Sequence, residues 1–78
     1  MIKEKETKTM RAVFKNLNNN DYEHDIYVLR LEIYSSGFEI VTVLFDGFYY
    51  RGRVNIDEKG RRSFKRLGKE YAFEIVMV

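Results

Sequence analysis

The stretch FEIVTVLFDGFYYRGRVNI, residues 38–56, decides the fold. Two apolar runs, Phe38 to Phe45 and Phe48 to Ile56, flank Asp46-Gly47. An Asp-Gly pair between such runs is the strongest short-range hairpin signal, because a type I′ turn needs positive φ at both central residues. That turn sets Phe45 opposite Phe48, Val43 opposite Tyr50 and Val41 opposite Gly52. Facing residues share a side of a sheet, so Val41, Val43, Phe45, Phe48, Tyr50 and Val54 read as one apolar face.

Upstream, Asp25 to Tyr34 has the pattern of a further strand, joined to the hairpin through Ser35-Ser36-Gly37. A two-residue turn there would put Leu29, Leu31 and Ile33 on the face opposite Val41 and Val43. A three-residue loop with a left-handed Gly37 sets Leu31 opposite Val41 and Leu29 opposite Val43. A one-residue slip exchanges the faces, so burial selects the three-residue loop. The expected core face is Tyr27, Leu29, Leu31, Ile33, Val41, Val43, Phe45, Phe48, Tyr50, Val54 and Ile56. The other face carries Arg30, Glu32, Tyr34, Phe38, Ile40, Thr42, Leu44, Tyr49, Arg51 and Arg53. It is too apolar along its middle strand for plain solvent surface, so it is covered or it binds something.

Thr9 to Lys15 and Tyr71 to Val78 read as two more strands, and residues 1–8 as a solvated tail. Residues 16–21, NLNNND, read as a loop. The segment 61–67 stays open between a short strand, a short helix and a loop. Phe64, Leu67 and Tyr71 fit helical spacing, but Gly68 would end a helix within two turns. The expected fold is therefore all-β, with at most one short helix near 61–67. It is a small antiparallel barrel-like domain of five to six strands, since closure removes vulnerable edges.

With 78 residues, the sequence has room for one domain, residues 1–78. Hydrophobic residues make up 45% of it and aromatics 15%, enough for the dense core that a short chain needs. Without cysteine there is no disulfide framework and no thiolate metal site. No apolar run approaches a membrane span, and the charged N-terminus has no signal-peptide core, so the expected compartment is the cytoplasm and no membrane partner is expected.

The net charge is only +2, but it is unevenly placed. Residues 1–50 carry six Lys/Arg against eight Asp/Glu, residues 51–69 eight against two, and residues 70–78 none against two. Tyr49, Arg51 and Arg53 alternate along one strand and so project to one side, where Arg30 and Tyr34 join them. Arg61, Arg62, Lys65 and Arg66 follow a turn at Asp57 to Gly60. Arginine and lysine neutralise phosphates, and aromatic rings offer stacking platforms for unpaired bases. The expected site is thus a nucleic-acid surface of Arg30, Tyr49, Arg51, Arg53, Arg61, Arg62, Lys65 and Arg66. Against it stands an ordinary solvated strand face followed by a basic loop.

The segment Phe45-Asp46-Gly47-Phe48-Tyr49-Tyr50-Arg51-Gly52-Arg53-Val54 resembles the strand-turn-strand of SH3-like small barrels, notably the Tudor pattern DG-x-WYR-A-x-V. It is also similar to the glycine-bracketed segment of Sm-like proteins. The resemblance covers about ten residues and implies a small barrel. Tudor domains hold methylated Arg or Lys in an aromatic cage, and no such cage is assigned in this sequence.

Other chemistry fits poorly. Asp21, Glu23, Asp25 and Glu32 occupy the first, third, fifth and twelfth places of a calcium loop, but Ile26 stands where the sharp turn needs glycine, so no metal is expected. His24 is the only histidine, with Asp21 or Asp25 as an orienting carboxylate, yet no nucleophile motif surrounds Ser35, Ser36 or Ser63. No cofactor loop and no catalytic role are expected. Residues 73–78, FEIVMV, suit either a central strand or an edge that pairs with a second copy, leaving a homodimer open. The sequence therefore points to a binding module for RNA or single-stranded DNA. A protein-interaction or inhibitor role, through the outer sheet face and the C-terminal strand, is the alternative.

Overall fold

The computed structural model describes residues 8–10, 12–17 and 23–76. The strands are β1 (Lys8–Met10), β2 (Val13–Asn16), β3 (Ile26–Ile33), β4 (Glu39–Phe45), β5 (Phe48–Arg53), β6 (Asn55–Ile56), β7 (Arg62–Arg66) and β8 (Lys69–Val76). They form two antiparallel four-stranded sheets, in the orders β1-β3-β4-β5 and β2-β8-β7-β6. No helix occurs among the described residues, and none is long and apolar enough to cross a membrane. The tail expected over 1–8 lies outside the described residues except for Lys8, which begins β1, and so do residues 18–21 of the expected loop.

The turn chemistry behaves as the residues dictate. Asp46 and Gly47 take φ of 52° and 85°, and Phe45 pairs with Phe48, Val43 with Tyr50 and Val41 with Gly52. Gly37 sits at φ 103°, Tyr34 and Phe38 close the three-residue loop, and Leu31 pairs with Val41. The segment left open at 61–67 is strand β7, turned back into β8 by a second two-residue turn, Leu67-Gly68, with φ of 52° and 79°. The helical spacing of Phe64 and Tyr71 has another origin. The two face each other across that hairpin, rings 5.5 Å apart.

The core lies between the sheets: Leu31, Val41, Val43, Phe45 and Val54 from one side, Phe64, Tyr71 and Phe73 from the other. Of the other expected core residues, Ile33 and Tyr50 pack half-buried against it, and four, Tyr27, Leu29, Phe48 and Ile56, stand outside it. The β3–β4 ladder shifts between Val28 and Arg30, so Val28, not Leu29, faces Val43, and Ile26 faces Phe45. Leu29 is the extra residue of a β-bulge, and beyond it the strand's faces exchange. Ile26 and Val28 therefore pack on the core, while Tyr27 is 54% and Leu29 43% exposed. Phe48 is 74% exposed because it sits at the hairpin end, and Ile56 is exposed because β6 is a two-residue edge.

The single five- to six-stranded barrel is not what forms. The chain passes from the first sheet to the second at buried Val54, whose N–H donates to the Glu39 carbonyl, and no ladder joins β5 to β7. Side chains fill that seam. The Tyr50 hydroxyl donates to the Lys65 carbonyl at 2.9 Å, and the Arg66 guanidinium lies over the Tyr50 and Phe45 rings at 4.8 and 5.1 Å. Strands held apart by an aromatic ring and a guanidinium cannot reach the about 4.8 Å spacing of a ladder. Gly52 allows this arrangement, because a Cβ there would come within 2.8 Å of the Tyr50 ring. Strand β8 is an interior strand, with β2 on one side and β7 on the other, so the edge placement does not apply to residues 69–76.

Candidate nucleic-acid interface

The outer face of the first sheet consists of three cross-strand rows. Tyr27, Leu44 and Tyr49 form the first, Arg30, Thr42 and Arg51 the second, and Glu32, Ile40 and Arg53 the third. Tyr34 and Phe38 close the far end, their rings stacked 4.5 Å apart at 10°. The face exists because β4 buries Val41, Val43 and Phe45 inward, which leaves Ile40, Thr42 and Leu44 outward.

Its charges are ordered. Glu32 sits between two arginines: Arg51 Nε donates to Oε1 at 3.2 Å, and Arg30 Nη2 lies 3.9 Å from the same oxygen. Arg51 Nη2 also donates to the Tyr34 hydroxyl at 2.9 Å. The bond to Glu32, then that to Tyr34, holds the Arg51 guanidinium above its ordinary pKa. Arg53 lies over the Phe38 ring at 4.6 Å. Three arginines against one glutamate leave these rows two positive charges in excess, beside Tyr49, which is 77% exposed.

Of the eight residues the sequence singled out, the structure brings Arg30, Tyr49, Arg51 and Arg53 onto this face. Lys65 adjoins its corner, lining with Arg53, Val54 and Asn55 an open recess of about 430 Å³. The other three are engaged elsewhere. Arg61 donates from its backbone N–H and from Nε to Asp57, each at 2.8 Å within the β6–β7 turn, and these bonds, the backbone one foremost, hold the Asp57 carboxyl below its usual range. Arg62 forks onto buried Glu39, and Arg66 spans the seam. The run of positive charge in the sequence is therefore not one patch. Tyr27 is the residue the sequence reading missed. Residues 26–29 are apolar at both parities, so alternation alone could not choose its face.

The orienting carboxylate on His24 is that of Asp46, not Asp25, and Asp21 lies outside the described residues. His24 Nδ1 lies 2.7 Å from Asp46 Oδ2, while the Asp25 N–H donates to Oδ1 at 2.8 Å. These bonds lower the Asp46 pKa, the Asp25 N–H foremost, and clip the hairpin turn to the start of β3. No group of three metal-ligating side chains stands together among the described residues.

No protein-family model matches the chain, and no curated protein or solved structure matches it. Function rests on the geometry alone.

Proposed function

We propose that this chain is a binding module, without a catalytic step, that holds single-stranded nucleic acid on the outer face of its first sheet. The observation that carries this is the alternation of Tyr49, Arg51 and Arg53 on an open strand face, with Arg30 one row partner away and Tyr27 brought round by the bulge. Exposed rings beside unburied guanidinium groups are what unpaired bases and phosphates require. Of the residues expected from the sequence, Arg30, Tyr49, Arg51 and Arg53 make this surface, Lys65 extends it, and Arg61, Arg62 and Arg66 hold the fold. Titration of a labelled thymidine 12-mer at about 50 and 200 mM salt tests the reading, with a single-strand slope near −0.7 per phosphate contact expected. Arg53→Gln should flatten that slope and Arg61→Gln should not. Absence of binding at the lower salt would overturn it.

A protein partner is the second reading, favoured by one feature. Leu67 is 85% exposed in a left-handed backbone conformation, and Phe48 stands exposed where β5 leaves the Asp46-Gly47 turn. Nuclease-resistant association with one defined protein, lost on Leu67→Asp while strand binding is unchanged, would establish it.

A further inference from the structure

Resting on the single-strand reading above, we propose that Tyr27 and Tyr49 form a slot for one unpaired base, with Leu44 as its floor. Leu44 pairs with Tyr27 on one side and with Tyr49 on the other, and all three side chains stand on the outer face. Two strand spacings separate the tyrosines, about 10 Å between their Cα atoms. A planar base stacks at about 3.4 Å from each neighbour, so a base between two rings needs them about 7 Å apart. An inward lean of about 1.5 Å by each ring, over the leucine between them, would close that spacing. Both rings are more than half exposed, so the slot is open to solvent.

The neighbouring row decides what kind of planar group enters. Arg30 and Arg51 flank Thr42 one row away, about 6.6 Å along the strands, and Glu32 beyond them orients both. A cation seated between the tyrosines, which aromatic rings otherwise accept, would meet two guanidinium groups. A base carrying its phosphates toward Arg30 and Arg51 meets complementary charge. A base within a duplex has both faces already stacked, so the slot takes unpaired strands and rejects duplexes.

The test compares the full chain's affinity for a thymidine 12-mer, the same strand with every base removed, the 12-mer paired to its complement, and thymidine monophosphate as competitor. The intact strand should bind about five- to a hundredfold tighter than the abasic one. Tyr49→Ala should erase that advantage and leave abasic binding unchanged, while Tyr49→Phe keeps it. Tyr27→Ala, checked for folding by its melting curve, should act like Tyr49→Ala. Equal, salt-sensitive binding of intact and abasic strands would overturn the slot and leave the surface reading standing. Equal binding of the duplex, or competition by the monophosphate at equal base concentration, would overturn the unpaired strand as occupant. No binding of any strand at about 50 mM salt would remove the surface reading itself.

Discussion

The Glu39 carboxylate and the Arg62 guanidinium meet in a two-bond fork, Nε to Oε1 at 2.7 Å and Nη2 to Oε2 at 3.1 Å. Glu39 opens β4 and Arg62 opens β7, so the fork pins the two sheets together beside the crossing at Val54. The partners differ in burial: Glu39 is nearly sealed, while about a quarter of the Arg62 side chain reaches solvent. Removing either one should therefore have unequal effects. Arg62→Leu strands a buried carboxylate and should cost about 3–5 kcal/mol. Glu39→Gln leaves a guanidinium that can swing outward, and should cost about 1–2 kcal/mol. Urea unfolding midpoints check the order, and the reverse ranking would show that Arg62 is the sealed partner.

The β3 bulge makes a second ranking. Val28 packs on the core and Leu29 does not, although plain alternation would have reversed them. Val28→Ala should cost about 1–2 kcal/mol and Leu29→Ala under about 1 kcal/mol, despite the larger side chain removed at 29. Equal losses would argue for the unbulged register.

These two cases show what was legible and what was not. Asp46-Gly47 and Ser35-Ser36-Gly37 declared their turns because positive φ restricts the residue choice so strongly, and the registers nearest them follow. Leu67-Gly68 is the same kind of turn, disguised because leucine stands where asparagine or aspartate is usual. The bulge left no mark, since either parity of residues 26–29 would satisfy burial. Nor could the run of charge from Arg51 to Lys69 be sorted by inspection. Arg62 is neutralised by Glu39, a residue 23 positions away, and Arg66 is drawn over rings on two other strands. Tyr49, Arg51 and Arg53 were readable as a set because the period of two within one strand needs no tertiary information.

Acid should weaken the fold in a defined window. The Asp25 N–H and then His24 hold the Asp46 carboxyl below its ordinary 3.8, and the Ser63 hydroxyl and then Asn55 hold Glu70 below 4.5. Asp57 is likewise lowered, by the backbone N–H and side chain of Arg61. A carboxyl whose folded value lies below its unfolded value stabilises the fold when ionised. That contribution is whole above the unfolded value and is lost as pH falls through the folded one. The urea midpoint should therefore fall below about pH 4.5, and Glu70→Gln should make the fall shallower. A midpoint unchanged down to about pH 3 would refute this.

Tyr50 and Gly52 should behave as a unit. The ring lies where a Cβ on residue 52 would stand, at 2.8 Å, and its hydroxyl is held by the Lys65 carbonyl. Gly52→Ala must displace the ring, break that bond and loosen the seam, at a cost of about 1–3 kcal/mol. Tyr50→Phe removes the bond alone and should cost about 1 kcal/mol. Their double variant should lose less than the sum, because the displaced ring has no bond left to lose. Strict additivity in a double-mutant cycle would separate the two residues.

Leu67 offers a gain in stability. It holds φ at 52° with almost all of its side chain in water, in a two-residue turn between Arg66 and Lys69. Left-handed backbone costs an ordinary L-residue about 1–2 kcal/mol, while asparagine adopts it readily, and Asn-Gly is the preferred pair for this turn. Burial gives nothing back, since the leucine touches little. Leu67→Asn should therefore stabilise the domain by about 0.5–1 kcal/mol, raising the melting temperature by about 2–8 °C. Unchanged affinity for the thymidine strand would then place Leu67 outside the strand-binding face. A lower melting temperature would mean that the leucine side chain packs in solution and that its exposure is not what the turn presents.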